Sequence, residues 1–128
     1  MANQIPGNLY YSKEHEWAKI EGTTAIIGIS DFAQSSLGDI VFVELPDVGR
    51  KLKLEESFGV VESIKSVSDL YSPFSGEVLE VNSNLVSSPE QINTSPYESW
   101  MIKMKLSNPK DVDSMMSASD YKNYCESL

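Results

Sequence analysis

Val60-Val61-Glu62-Ser63-Ile64-Lys65-Ser66-Val67-Ser68-Asp69 reads as a strand entering a turn and a second strand leaving it toward Tyr71-Ser72-Pro73-Phe74-Ser75-Gly76. β-Branched residues fill the flanks and small hydroxyl residues crowd the middle, a composition that suits a hairpin. The runs Trp17–Ile20, Thr23–Ile29, Ile40–Leu45, Ser57–Ile64, Asp69–Pro73, Glu77–Asn82 and Trp100–Leu106 share this composition and are bounded by turn residues. Seven short strands predict a mainly β chain folded as a sandwich or small barrel. Glu21-Gly22 and Pro46-Asp47-Val48-Gly49 read as hairpin ends, because Gly admits positive φ and Pro pre-sets φ.

Helical signals are confined to two places. Ser30-Asp31-Phe32-Ala33-Gln34-Ser35-Ser36-Leu37-Gly38 opens on N-cap residues and closes on glycine, which predicts a short helix near 31–37 burying Ala33 and Leu37. In the tail, Asn108 as cap and Pro109 in the first turn start a helical segment over about 109–126, with Val112, Met115 and Met116 on one face. Ser119 is read as capping its second part, which carries Tyr121, Tyr124 and Cys125. This stripe is read as a face packed on the strands, with Cys125 a small apolar residue near a frayed end. Asn82–Tyr97 reads as a polar loop that Leu85, Val86 and Ile92 pin to the core. Gly38–Val43 and Gly76–Val81 share a Gly-acid-β-x-x-Val pattern; as a true repeat they would place two similar half-sheets around the hairpin.

A chain of 128 residues predicts one domain, large enough to bury a core without disulfides, and its lone cysteine could not form an internal one. No stretch approaches the roughly 18 apolar residues of a membrane helix. Met1–Tyr10 has neither Lys or Arg nor an apolar run, so it does not read as a signal peptide. The first arginine is Arg50, so no Arg-rich transit peptide is seen; a processed organellar matrix protein would also lack one, and a cytoplasmic setting is expected. Nineteen acids against 10 bases give a net charge of -9, the wrong sign for gripping nucleic acid and a balance that favours a monomer. From Leu54 to Ile102 there is one base, Lys65, against eight acids.

Enzyme constellations are sparse. One histidine, His15, and one cysteine cannot build a multi-His or Cys/His metal site, and no glycine-rich phosphate cradle follows a strand. A non-catalytic protein is the expectation. Lys65 is different: a lysine at a protruding tip, among Ser63, Ser66 and Ser68, offers its amine on a long stem to a modifying enzyme. Ile102-Lys103-Met104-Lys105 superficially resembles a biotin-carrier motif, but it lies in the last strand without an adjoining turn.

Val61-Glu62-Ser63-Ile64-Lys65-Ser66-Val67-Ser68-Asp69 resembles the lipoyl-lysine motif of the glycine cleavage system H proteins. Ser12-Lys13-Glu14-His15-Glu16-Trp17, Gly28–Gln34, Leu37–Pro46, Ser75–Val78 and Ile92–Tyr97 match the same family, with similar spacing from about Tyr10 to Cys125. The resemblance implies a lipoyl/biotinyl-like barrel-sandwich hybrid with terminal helices, spanning 1–128 as one carrier domain. It implies lipoate joined by an amide to Lys65, with Glu62, Ser63, Ser66 and Ser68 forming the hairpin around it. The implied partners are a lipoate ligase or lipoyltransferase and three enzymes. Glycine decarboxylase, which uses pyridoxal phosphate, would load an aminomethyl group; the tetrahydrofolate-dependent aminomethyltransferase would receive it; dihydrolipoyl dehydrogenase would reoxidise the arm. Glu16 and Asp69, with Glu14 beside them, are implied as cleft residues holding the loaded arm away from water, with His15 as a packing or orienting neighbour.

The chain departs from the family where Pro96-Tyr97-Glu98-Ser99-Trp100 is one residue shorter and lacks a glycine, and where Phe32 and Glu14 replace the His and Ser found in relatives. Two other readings are a lipoyl relay for 2-oxo acid dehydrogenases and an unmodified β-barrel interaction module.

Overall fold

The structure, a computed structural model, describes residues 4–128. Its elements in chain order are β1 (Tyr10–Tyr11), β2 (Glu16–Glu21), β3 (Thr24–Ile29), α1 (Asp31–Leu37), β4 (Ile40–Glu44), β5 (Lys51–Leu52), β6 (Ser57–Ser63), β7 (Val67–Tyr71) and β8 (Gly76–Val81). Then follow α2 (Asn84–Ser87), α3 (Gln91–Thr94), β9 (Ile102–Leu106), a 3₁₀ turn (Pro109–Ser114) and α4 (Ala118–Glu126). All strand pairs are antiparallel, in a six-stranded sheet ordered β1-β2-β3-β9-β8-β5 and a three-stranded sheet ordered β4-β6-β7. This is the barrel-sandwich architecture expected.

Period-two alternation explains which residues face inward. On β9, Ile102, Met104 and Leu106 are buried while Lys103 and Lys105 face outward; Ile102 pairs with Ile27 and Met104 with Ala25 of β3. From the opposite sheet Val43, Val61 and Leu70 meet these side chains in one cluster, which also takes Phe58 and Phe74. Each such burial stabilises the fold by about 1.5–3 kcal/mol. A second cluster, Leu9, Tyr11, Trp17 and Tyr121, lies under α4.

The strands read from the sequence are all present, with ends shifted: Ile64 and Pro73 fall outside β6 and β7, and β7 starts earlier, at Val67. Four readings are corrected. Pro46–Gly49 turns the chain between β4 and β5, which lie in different sheets, so it is a crossover and not a hairpin end. Residues 82–97 hold the single-turn helices α2 and α3, anchored by buried Leu85 and Ile92, whereas Val86 is exposed because it lies on the outer side of α2. Ala33 and Leu37 of α1 are only half-buried, since the short helix lies across the core's edge. The tail is broken at Met115–Ser117, where Met116 bridges to Tyr11, and Ser117 caps α4 by accepting from the Asp120 N–H, in place of Ser119. Asn108 caps the 3₁₀ turn as expected, and Cys125 is half-buried against the second cluster.

The two Gly-acid-β segments enter different sheets, and their glycines serve different ends. At Gly76 a Cβ would lie 2.1 Å from the Lys105 carbonyl oxygen, so only glycine allows β8 to close on β9 there. At Gly38 the backbone itself demands glycine, for a reason that bears on Lys65.

Candidate functional site

The hairpin tip is built by Ser63. Its N–H donates to the Ser66 carbonyl at 2.8 Å, leaving Ile64 and Lys65 at the turn. Hairpins this tight usually place positive φ at the tip. Here neither tip residue does so; His15 and Glu55 are the non-glycine residues with positive φ among those described. The Ser63 hydroxyl instead accepts from the N–H groups of Lys65 (3.3 Å) and Ser66 (3.1 Å), satisfying the turn from within. The Ile64 N–H donates to the Asp39 carbonyl at 3.1 Å, fastening the tip beside the end of α1.

Lys65 is exposed and belongs to none of the ion pairs among the described residues. Its stem lies over Gly38, where a Cβ would come within 3.3 Å of Lys65 Cε. Gly38 has φ 82° and ψ -159°, a combination open essentially to glycine. Gly38→Ala is therefore expected to lower stability by about 1–3 kcal/mol. Thermal melting reads this, and the amide resonances of Ser63–Ser66 should shift as the lysine stem moves aside.

The outer face of the three-stranded sheet around this tip alternates acids with apolar side chains. Phe42, Glu62 and Val67 form one cross-strand row, and Glu44, Val60 and Asp69 the next. A bulge between Ile40 and Phe42 turns both Val41 and Phe42 outward, and Ile64 and Val67 are 72% and 66% exposed.

Along β7, Val67, Asp69 and Tyr71 share a face by the two-residue period, and they lead from the tip toward a cleft of about 320 Å³. Ser12, Lys13, Glu14, Glu16 and Tyr71 line it, together with Leu54, Glu55, Ser72, Pro73, Ser114 and Met115, so three carboxyl groups face one ammonium. A smaller hollow between Glu14, Glu55 and Tyr71 adjoins it. Lys65 and Tyr71 are six residues apart, about 20 Å at a rise of about 3.3 Å per residue. A lysine side chain alone cannot cross that distance. A larger hollow between Glu44–Arg50 and Ser57–Val60 is open and polar, and its Arg50 is already held by Glu56 and the Ser57 carbonyl.

Glu16 is 2% exposed. Its carboxylate accepts from the Ser12 hydroxyl at 2.5 Å and from the Tyr71 N–H at 3.3 Å. Burial pushes its pKa up to about 7, with the two hydrogen bonds holding it below where desolvation alone would take it and Glu14 adding like-charge repulsion. The cleft thus holds a buried carboxyl near its midpoint at neutral pH beside an exposed carboxylate, an arrangement that suits an incoming cation. Of the two non-glycine residues with positive φ among those described, Glu55 lines this cleft and His15, at φ 69°, lies in the chain between two residues that do, Glu14 and Glu16. Strain of that kind, costing about 1–3 kcal/mol per residue, concentrates at working sites.

The glycine cleavage H-protein family model matches residues 9–128. The chain belongs to this family. It is 60% identical over 122 residues to the glycine cleavage system H protein of Symbiobacterium thermophilum, covering 94% of each chain. With that of Carboxydothermus hydrogenoformans the identity is 53% over 123 residues, covering 95% of each. The crystal structure of a glycine cleavage system H protein from Mycobacterium marinum superimposes with a TM-score of 0.88 at 39% identity, covering 95% of this chain and 99% of that one.

In this H-protein family member the residues expected at the site are arranged unevenly. Glu14 and Glu16 line one cleft together, while Asp69 stands on the track between Lys65 and that cleft, exposed and outside its lining. Ser63 and Ser66 build the turn; Glu62 and Ser68 lie half-buried on the strands beside it. His15 stacks on Phe32 at 4.7 Å, as a packing neighbour would. The sequence reading missed the roles of Ser12 and Tyr71 in holding Glu16, and of Leu54, Glu55 and Met115 as walls. A serine four residues before the glutamate was the one local signal available; the walls come from segments far apart in sequence.

Proposed function

We propose that this protein is the lipoyl carrier of glycine cleavage, a non-catalytic component modified at Lys65 Nζ by an amide with lipoate. Bound lipoate supplies a dithiolane at the end of a long arm, able to accept the aminomethyl group of glycine and to be reoxidised afterwards. The protein's own part is to present the amine and then to shelter the arm's end. Lys65 fits attachment because it is exposed, outside the ion pairs among the described residues, and held at a tip whose hydrogen bonds join Ser63 to backbone groups and do not use the lysine side chain.

The observation that carries this reading is the separation of tip and cleft. Lys65 stands beyond the start of β7 and Glu16 meets the Tyr71 N–H at its end, too far apart for a bare lysine, so the two sites work together only through an extended arm. At the far end Glu16 and Glu14 would hold a protonated amine, with Asp69 passed on the way. Tethering makes delivery a search at high effective concentration, limited by reach. The acid and apolar rows around the tip support docking of partner enzymes that present basic and apolar surface. Those partners are glycine decarboxylase, the aminomethyltransferase and dihydrolipoyl dehydrogenase, with a lipoate ligase or lipoyltransferase for attachment. No helix among the described residues is long and apolar enough to cross a membrane, and the bacterial relatives support a cytoplasmic setting for this single carrier domain.

The lipoylated protein should support glycine-dependent exchange of carbon dioxide when mixed with glycine decarboxylase. Lipoylation without any exchange would favour a lipoyl relay over this role.

A further inference from the structure

We infer that Tyr121, on the C-terminal helix α4, is a positioning residue for Glu16, acting through the ring of His15. The inference rests on the proposed sheltering role of the Glu14–Glu16 segment and goes beyond it, because α4 has no part in that role as described.

The segment from Ser12 to Glu16 is a tight loop: the Ser12 N–H donates to the Glu16 carbonyl at 2.9 Å, and the His15 N–H to the Ser12 carbonyl at 3.1 Å. To close it, His15 takes φ 69°, which a side chain occupies only when its surroundings hold it there. The C-terminal segment provides part of that hold, beside the Ser30 N–H, which donates to the His15 carbonyl at 2.9 Å, and the Phe32 ring stacked on His15. Tyr121 Oη lies 2.7 Å from His15 Nδ1 and 2.7 Å from Ser30 Oγ, which in turn accepts from the Ala33 N–H at the start of α1. One assignment satisfies every group: Ser30 donates to Tyr121, and Tyr121 donates to a neutral His15. The Tyr124 hydroxyl donates to the Lys13 carbonyl at 3.2 Å, and Met116 exchanges two backbone hydrogen bonds with Tyr11, of 2.9 and 2.7 Å.

Tyr121 is fully buried and stacked on Tyr11, with ring centroids 4.5 Å apart and planes 3° from parallel, so its hydroxyl is aimed and not mobile. Burial drives its own pKa upward and that of His15 downward, which keeps both neutral. The consequence for Glu16 is mechanical. A one-residue shift at His15 would turn the adjoining side chain away from Ser12 and the Tyr71 N–H, its two hydrogen-bond donors. α4 therefore clamps the cleft wall from behind, while Met115, shortly before it in the chain, is itself part of the lining.

Two variants test this. Tyr121→Phe keeps the stacked ring and removes only the hydroxyl. His15→Asn keeps a residue type that tolerates the left-handed backbone and removes the ring. Two readouts are needed: the titration of the Glu16 carboxyl in the unlipoylated protein by carbon-13 NMR, and the rate of ammonia release from the glycine-loaded carrier, in which water cleaves the aminomethyl group from sulfur and leaves the thiol, formaldehyde and ammonium. Both variants should move the Glu16 midpoint down from about 7 toward 4.5, as water reaches a loosened carboxyl. Both should speed ammonia release roughly fivefold, the factor carried by one neutral hydrogen bond. A Glu16 titration and release rate equal to wild type in both variants, with Glu16→Gln releasing faster, would overturn the positioning role and leave the cleft reading standing. If Glu16→Gln itself releases at the wild-type rate, Glu16 is not the group being positioned, and both readings fall.

Discussion

Lys65→Arg is expected to abolish carrier function while leaving the fold intact. Arginine keeps the positive charge and a long aliphatic stem, but its guanidinium cannot form the lipoyl amide. The side chain is exposed, and the turn is held by Ser63, so stability should change by no more than about 0.5 kcal/mol. Lipoate incorporation and glycine-dependent carbon dioxide exchange should both fall to background, with a melting temperature matching wild type. Exchange at the normal rate in this variant would remove Lys65 from the mechanism.

Glu16→Gln should separate stability from function, moving them in opposite directions. Folded, Glu16 holds its proton up to about pH 7; unfolded, it releases it near 4.5. Between these values the folded chain binds more protons than the unfolded one, so stability falls as pH rises. The contribution is fully present below about 4.5 and lost above about 7. Glutamine stays neutral, can accept from the Tyr71 N–H and can donate to the Ser12 hydroxyl oxygen, so it avoids that loss. At pH 8 the variant should be more stable than wild type by about 3 kcal/mol, a rise of roughly 10 °C in Tm. His15 works the other way: its lowered pKa gives stability that is present above the ordinary 6.5 and lost as pH falls through the folded value. The Glu16→Gln protein should therefore show only the rise toward pH 6.5. Its loaded form should release ammonia roughly 10- to 100-fold faster, because a charged partner of the amine is gone. Equal pH profiles for the two proteins would show that the buried carboxyl does not carry the shift.

The pattern of what the sequence revealed follows from the range of the forces involved. Strands such as Thr24–Ile29 and Ile102–Leu106 were legible because alternation and β-branching are local. Tyr10–Tyr11 and Lys51–Leu52 were not, since two residues carry no period and pair only because a neighbouring strand is there. Pro46–Gly49 was read as a turn correctly and as a hairpin wrongly, because turn chemistry does not say which sheet the chain joins next. Lys65 stood out through its isolation among acids. The burial of Glu16 had no comparable signature: in Ser12-Lys13-Glu14-His15-Glu16 it lies in a run of polar residues, and the fold takes it out of water while bringing the Ser12 hydroxyl and the Tyr71 N–H to its carboxylate. Tyr121 was read as core, which it is; its hydrogen bond to a histidine 106 residues away in sequence is a product of the fold alone.

Intact mass with peptide mapping decides whether Lys65 is the attachment point. The protein is incubated with lipoate, ATP and a lipoate ligase, with a known carrier in the same tube. One lipoyl increment, located on Lys65, is expected. An unmodified protein beside a modified control, or an increment on another lysine, would contradict it.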